Sequence, residues 1–126
     1  GRAELVRATL EAVCYQTSDL FRAMAEDGVK PATLRVDGGM VANDWLVQYL
    51  SDILDLTVDR PGVMETTALG AAYLAGLQVG LYGSLEDVAA NWQRAARFEA
   101  SMSTDERAPL LAKWQKAVEC TRAFSL

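Results

Sequence analysis

The sequence predicts an α/β chain dominated by helices, with most of the sheet such a fold needs missing. Three observations carry this. Apolar residues recur at helical spacing over long stretches, most clearly across residues 3–27 and 66–80. Only two or three segments read as strands, and each is short. Residues 34–43, LRVDGGMVAN, run from a strand-like start through two adjacent glycines into a helical pattern. Five predicted helices around so few strands leave a sheet unable to bury its own faces. The chain also opens on Gly1, inside a helical pattern, so it is expected to be a fragment of a larger α/β domain.

The elements follow in order. Val6, Leu10, Val13, Cys14, Leu20, Phe21 and Met24 predict a long helix over 3–27, stopped by Gly28 and Pro31. Thr33–Val36 reads as a strand that enters Asp37-Gly38-Gly39. Asp-Gly often marks a hairpin, but no second strand follows. Leu46, Leu50, Ile53 and Leu54 share a helical face instead. Leu56–Val58 is a second short strand, ending before Arg60-Pro61-Gly62.

Residues 66–80, TTALGAAYLAGLQVG, place small residues in helical rows. Gly70 and Gly76 each cost a helix about 1 kcal/mol against Ala, so a tightly buried core helix is expected, ending at Gly80. Ser84–Asp87 resembles a capping box opening a short helix to about Trp92. Arg97–Ala100 is expected to be extended. Ser103–Glu106 is a second capping box, opening a last helix with Leu111, Trp114, Val118 and Thr121 on one face. Pro109 should delay or kink that helix.

Composition narrows the chemistry. The 126 residues are 51% hydrophobic, enough for a single-domain core, and carry a net charge of −5. Scattered basic residues on an acidic chain argue against nucleic acid and anionic membrane as partners, and the apolar runs are too short for a membrane span. Cys14 and Cys120 lie in apolar helical stretches and read as two small buried hydrophobes in a reducing compartment, hence cytoplasmic. There is no histidine, which removes the commonest general base and metal ligand. Asp44, Asp52, Asp55 and Asp59 read as a solvated face, since their spacing offers no compact metal set. Asp37 reads as a turn residue before a catalytic carboxylate.

The double glycine is the one candidate site. A turn between strand end and helix start gathers free backbone N–H groups at a partly positive helix terminus, which suits a phosphate. Glycine lets such a ligand approach closely and permits positive φ. Asn43 lies about one helical turn beyond Gly39, and its amide suits a purine edge. DGGxxxN is neither GxGxxG nor a Walker A loop, so on these residues alone a plain structural turn competes with nucleotide binding.

LRVDGGMVANDWLVQYLSDIL, then VDRP, then ETTALGAAYLAGLQVG closely resembles the C-terminal domain of the FGGY carbohydrate kinases. The opening RAELVRATLEAVCYQTSDLFRAM resembles the helix before that strand, and RFEASMSTDERAPLLAKWQKAV resembles the tail of the glycerol-phosphorylating members. The resemblance covers nearly the whole chain. It implies a partial ribonuclease-H-like, actin-like ATPase domain, with residues 1–126 as the C-terminal fragment of the nucleotide-binding domain. It implies that Gly38, Gly39 and Asn43 contact ATP or ADP, with Asn43 near the adenine, and that the 66–80 helix connects the two domains at their hinge. It implies glycerol and ATP as substrates, with Mg²⁺ bridging the phosphates in the full-length enzyme. The family's catalytic aspartate and most polyol contacts lie upstream, so no catalytic residue and no metal ligand is expected here, and the fragment alone should be inactive. Alternatives are another family member acting on xylulose, gluconate or a tetritol, and a non-catalytic helical module whose open sheet edges pair with another copy as a homo-oligomer.

Overall fold

The structure is a computed structural model and describes residues 1–124. Helix α1 (Arg2–Glu26) leads into strand β1 (Thr33–Arg35). A 3-10 turn (Gly39–Ala42) and helix α2 (Asp44–Leu54) follow, then strand β2 (Thr57–Pro61). Helix α3 (Thr66–Gln78), the short helix α4 (Leu85–Ala89), strand β3 (Arg94–Phe98) and helix α5 (Thr104–Phe124) complete the chain. The sheet has the order β1-β2-β3. β1 runs parallel to β2, pairing Leu34 with Val58. β3 runs antiparallel to β2, pairing Asp59 with Arg97, and the ladder is irregular between Arg60 and Pro61. A proline cannot donate to a ladder, so the irregularity falls where a donor is lost.

The core lies between α1, α2 and the sheet. Leu46, Val47, Leu50 and Ile53 from α2 pack with Cys14 and Tyr15 from α1 and Val58 from β2. Where the two helices meet, Tyr15 and Tyr49 share a hydrogen bond between their hydroxyls at 2.7 Å. Trp45 stacks on Tyr49, and Trp114 of α5 stacks on Tyr15. Trp114 also donates its indole N–H to Asp19 at 2.8 Å, which fastens α5 to α1.

Two of the four aspartates, Asp52 and Asp59, correct the expectation of a solvated face, whereas Asp44 and Asp55 are exposed as expected. Asp52 is buried, and its Oδ1 accepts from Ser101 N at 2.7 Å, Met102 N at 3.1 Å and Gln48 Nε2 at 3.1 Å. Asp59 is buried and receives both forks of Arg97, at 2.7 and 2.8 Å. Asp44 pairs with Arg60 at 2.6 Å and Asp55 with Arg107 at 2.8 Å. Sequence spacing alone cannot show these pairings, because the partners lie up to 52 residues away.

Other expectations shift as well. β2 runs on through Asp59-Arg60-Pro61, because β3 supplies a second ladder there. Helix α5 starts at Thr104 despite Pro109. The reciprocal Ser103–Glu106 box fixes its start, with Glu106 Oε2 accepting from Ser103 N at 3.0 Å and Ser103 Oγ accepting from Glu106 N at 3.3 Å. Cys14 is fully buried, but Cys120 is exposed. Helix α3 is mostly exposed rather than buried in the core, with only Gly76 buried along it. A Cβ on Gly76 would stand 2.8 Å from the Tyr82 ring, which is its packing reason, whereas Gly70 meets nothing within 4 Å.

Candidate nucleotide site

The turn after β1 is held from three sides. Gly38 N–H donates to the carbonyl of Met64 at 3.2 Å. Asp37 Oδ2 accepts a hydrogen bond from Thr66 Oγ1, at the first residue of α3. Arg60 of β2 donates to the carbonyl of Val41 at 2.8 Å while pairing with Asp44. None of these holding contacts is legible from local sequence, since Asp37 and Thr66 are separated by 29 residues.

The two glycines have different reasons. Gly38 has φ +88° and ψ 171°, a conformation essentially restricted to glycine. Gly39 needs no positive φ. A Cβ added at Gly39 would meet no protein atom within 4 Å. Nothing in the described chain therefore requires glycine at position 39, and open space lies above its backbone. The N–H groups of Gly39 and Met40 start the 3-10 turn and find no acceptor among the described residues. They are orphan donors of the kind that bind anions.

Asn43 does not lie within a helix continuous with Gly39, as the spacing predicts. It caps α2, with Oδ1 accepting from Leu46 N at 3.3 Å. The intervening 3-10 turn breaks the helix and turns Asn43 into an extended conformation, φ −84° and ψ 104°. Its acceptor thus serves the cap, while its Nδ2 donates to no protein group among the described residues. The site therefore gathers two backbone donors and one side-chain amide on an exposed edge. Beside it lies a cavity of about 320 Å³, lined by Val36, Asp37, Met40 and Val41 of the turn and by Val13 and Thr17 of α1.

Two further groups, Cys14 and Asp59, are engaged within the fold. Burial pushes the Cys14 thiol up to about 12, so it stays protonated and unreactive. The Arg97 fork holds the Asp59 carboxyl below its ordinary range. Among the described residues no group of three or more Asp, Glu, His or Cys side chains forms a metal cluster. No helix among them is long and apolar enough to cross a membrane.

Comparisons with known proteins extend this geometry. The chain is 63% identical over 123 residues to a glycerol kinase of Rhodospirillum centenum, covering 98% of this chain and 25% of that protein. It is 54% identical, at the same coverage, to glycerol kinase 1 of Pseudomonas aeruginosa. The chain thus spans about a quarter of the length of the curated relatives it matches. Among solved structures, Plasmodium falciparum glycerol kinase with ADP superposes with a TM-score of 0.79 at 35% identity, over 96% of this chain and 24% of that one. A xylulose kinase from Lactobacillus acidophilus shares the fold, with a TM-score of 0.73 at 20% identity over 94% of this chain and 25% of that one. Residues 1–79 match the family model for the C-terminal domain of the FGGY carbohydrate kinases, and the chain belongs to that family.

Proposed function

We propose that this chain is the nucleotide-gripping and hinge portion of an ATP-dependent glycerol kinase, which transfers the γ-phosphate of ATP to glycerol and yields glycerol 3-phosphate. On this reading residues 1–126 are the C-terminal part of the nucleotide-binding domain. One observation carries it: the Asp37-Gly38-Gly39 turn is clamped by Met64, Thr66 and Arg60, yet leaves the Gly39 and Met40 N–H groups unpaired beside the free Asn43 amide. That is a clamped set of donors with no acceptor among the described residues. Relatives more than half identical are glycerol kinases, and a 35% identical relative of the same fold was solved with ADP.

In this mechanism the chain positions rather than reacts. Phosphoryl transfer depends mainly on alignment and on neutralising developing charge. Gly39 and Met40 N–H donate to a nucleotide oxygen, and Gly39 lets the ligand reach the backbone without a Cβ in the way. Asn43 Nδ2 donates to the adenine, and the cap to Leu46 fixes the amide's orientation. Asp37 is engaged by Thr66 and holds the turn; no proton transfer is assigned to it. Among the described residues no carboxylate cluster offers a site for Mg²⁺, and no step is assigned to the metal. Helix α3, exposed along most of its length and tied to the turn through Thr66, is the connection through which domain closure reaches the nucleotide.

The test is an ADP-release assay on the full-length protein, with glycerol, xylulose and gluconate as acceptors. Glycerol turnover well above the other two supports the reading. Preferred turnover of a sugar or sugar acid moves the substrate and keeps the nucleotide site. No ATP-dependent turnover with any acceptor overturns it in favour of a non-catalytic module.

A further inference from the structure

A second cavity, of about 620 Å³, opens between α3, the end of β2 and the segment joining α4 to β3. Its volume falls in the range of about 300–1,000 Å³ typical of small-molecule sites. Leu69, Tyr73, Val88 and Trp92 give it an apolar and aromatic wall, and Arg35 enters from β1. The Arg35 guanidinium lies 4.0 Å from the centroid of the Trp92 ring.

The charge of Arg35 sets it apart. The other arginines of the sheet strands each have a carboxylate partner, Arg60 with Asp44, and Arg94 and Arg97 sharing Asp59. Arg35 has no carboxylate partner among the described residues, although the chain as a whole carries a net charge of −5. Stacking on Trp92 orients the guanidinium, and its edge donors meet no acceptor among the described residues. A planar fork with fixed orientation recognises a carboxylate or phosphate through paired hydrogen bonds.

We propose that this cavity binds a small organic anion, whose carboxylate or phosphate monoester meets Arg35 and whose flat apolar body lies against Trp92, Tyr73 and Leu69. The cavity's lining leaves out Gly38, Gly39 and Asn43, although it shares Thr66 with the clamp of the turn and Arg35 with the cavity beside it.

The experiment is calorimetric titration of the full-length protein with phenyl phosphate and with benzoate, in excess ADP and glycerol so that the other sites are filled. Saturable one-to-one binding of either probe is expected, and the tighter of the two identifies the head group. Phenol, which keeps the ring and lacks the anion, should show no saturable binding. Arg35→Gln should weaken the probe about tenfold or more. Arg35→Lys should fall between, since it keeps the charge and loses the fork. Absence of saturable binding to the unmodified protein overturns the proposal, as does equal affinity in Arg35→Gln.

Discussion

Thr66 donates its hydroxyl to Asp37, joining the first residue of α3 to the residue before the double glycine. Two segments that the sequence presents as separate motifs are thereby one mechanical unit. Thr66→Val removes the donor at nearly constant volume. It should raise the KM for ATP about three- to tenfold, roughly the worth of one hydrogen bond, and change the KM for the acceptor much less. Steady-state kinetics with each substrate varied in turn checks this, and equal effects on both substrates would count against the latch.

Gly38 and Gly39 should respond differently to the same substitution. Gly38→Ala forces a side chain into a glycine-only conformation and should cost about 1–3 kcal/mol of stability. Gly39→Ala adds a Cβ that meets no protein atom, so stability should stay within about 0.5 kcal/mol. On the proposed reading nucleotide affinity should nevertheless fall, because the methyl group would occupy the space assigned there to the ligand. Denaturant melts paired with ADP titrations separate the two effects.

Asn43 caps α2 and, on the proposed reading, also meets the nucleotide; two substitutions divide these roles. Asn43→Ala loses the cap and should destabilise the protein by about 1 kcal/mol. Asn43→Asp keeps an oxygen for Leu46 N–H and should hold stability while losing the Nδ2 donor. Both should weaken ADP binding about five- to thirtyfold if the amide meets adenine directly. Full ADP affinity in Asn43→Asp would remove Asn43 from the site.

Asp59 supplies a pH dependence. Arg97 lowers its carboxyl in the folded state, so folded protein binds the proton less readily than unfolded chain. The stabilisation is therefore complete above the ordinary Asp value of about 3.9 and disappears as pH falls through the lower folded value. Asp59→Asn should melt below the unmodified protein at neutral pH. The gap should close below about pH 4. Melting curves across that range test the sign.

Much of this fold is legible in local pattern. Helix α1, both capping boxes and the strand–turn–helix order follow from spacing and from residues such as Ser84, whose Oγ accepts from Asp87 N at 3.2 Å. What stays hidden is whatever needs a partner distant in sequence. Asp52 looks like any helix-surface carboxylate until Ser101 and Met102 return to meet it. Helix α3 reads as core because its residues are small and apolar, yet composition cannot say whether the covering surface belongs to the same stretch of chain. The candidate site divides in the same way. The glycines and Asn43 are visible as a motif, whereas the clamps from Met64, Thr66 and Arg60 are products of folding.

The family match ends at residue 79, but the physical unit does not. Beyond that point β3, α5 and the segment between them supply Arg97 to Asp59, Ser101 to Asp52, the Phe98 carbonyl to Ser51 at 3.2 Å, and Trp114 to Asp19. Removing the chain beyond residue 79 would strip the carboxylates of Asp52 and Asp59 of most of their partners, at a cost on the order of several kcal/mol. Grafts between family members should therefore exchange α2, β2, β3 and α5 as one block, whatever boundary sequence similarity draws.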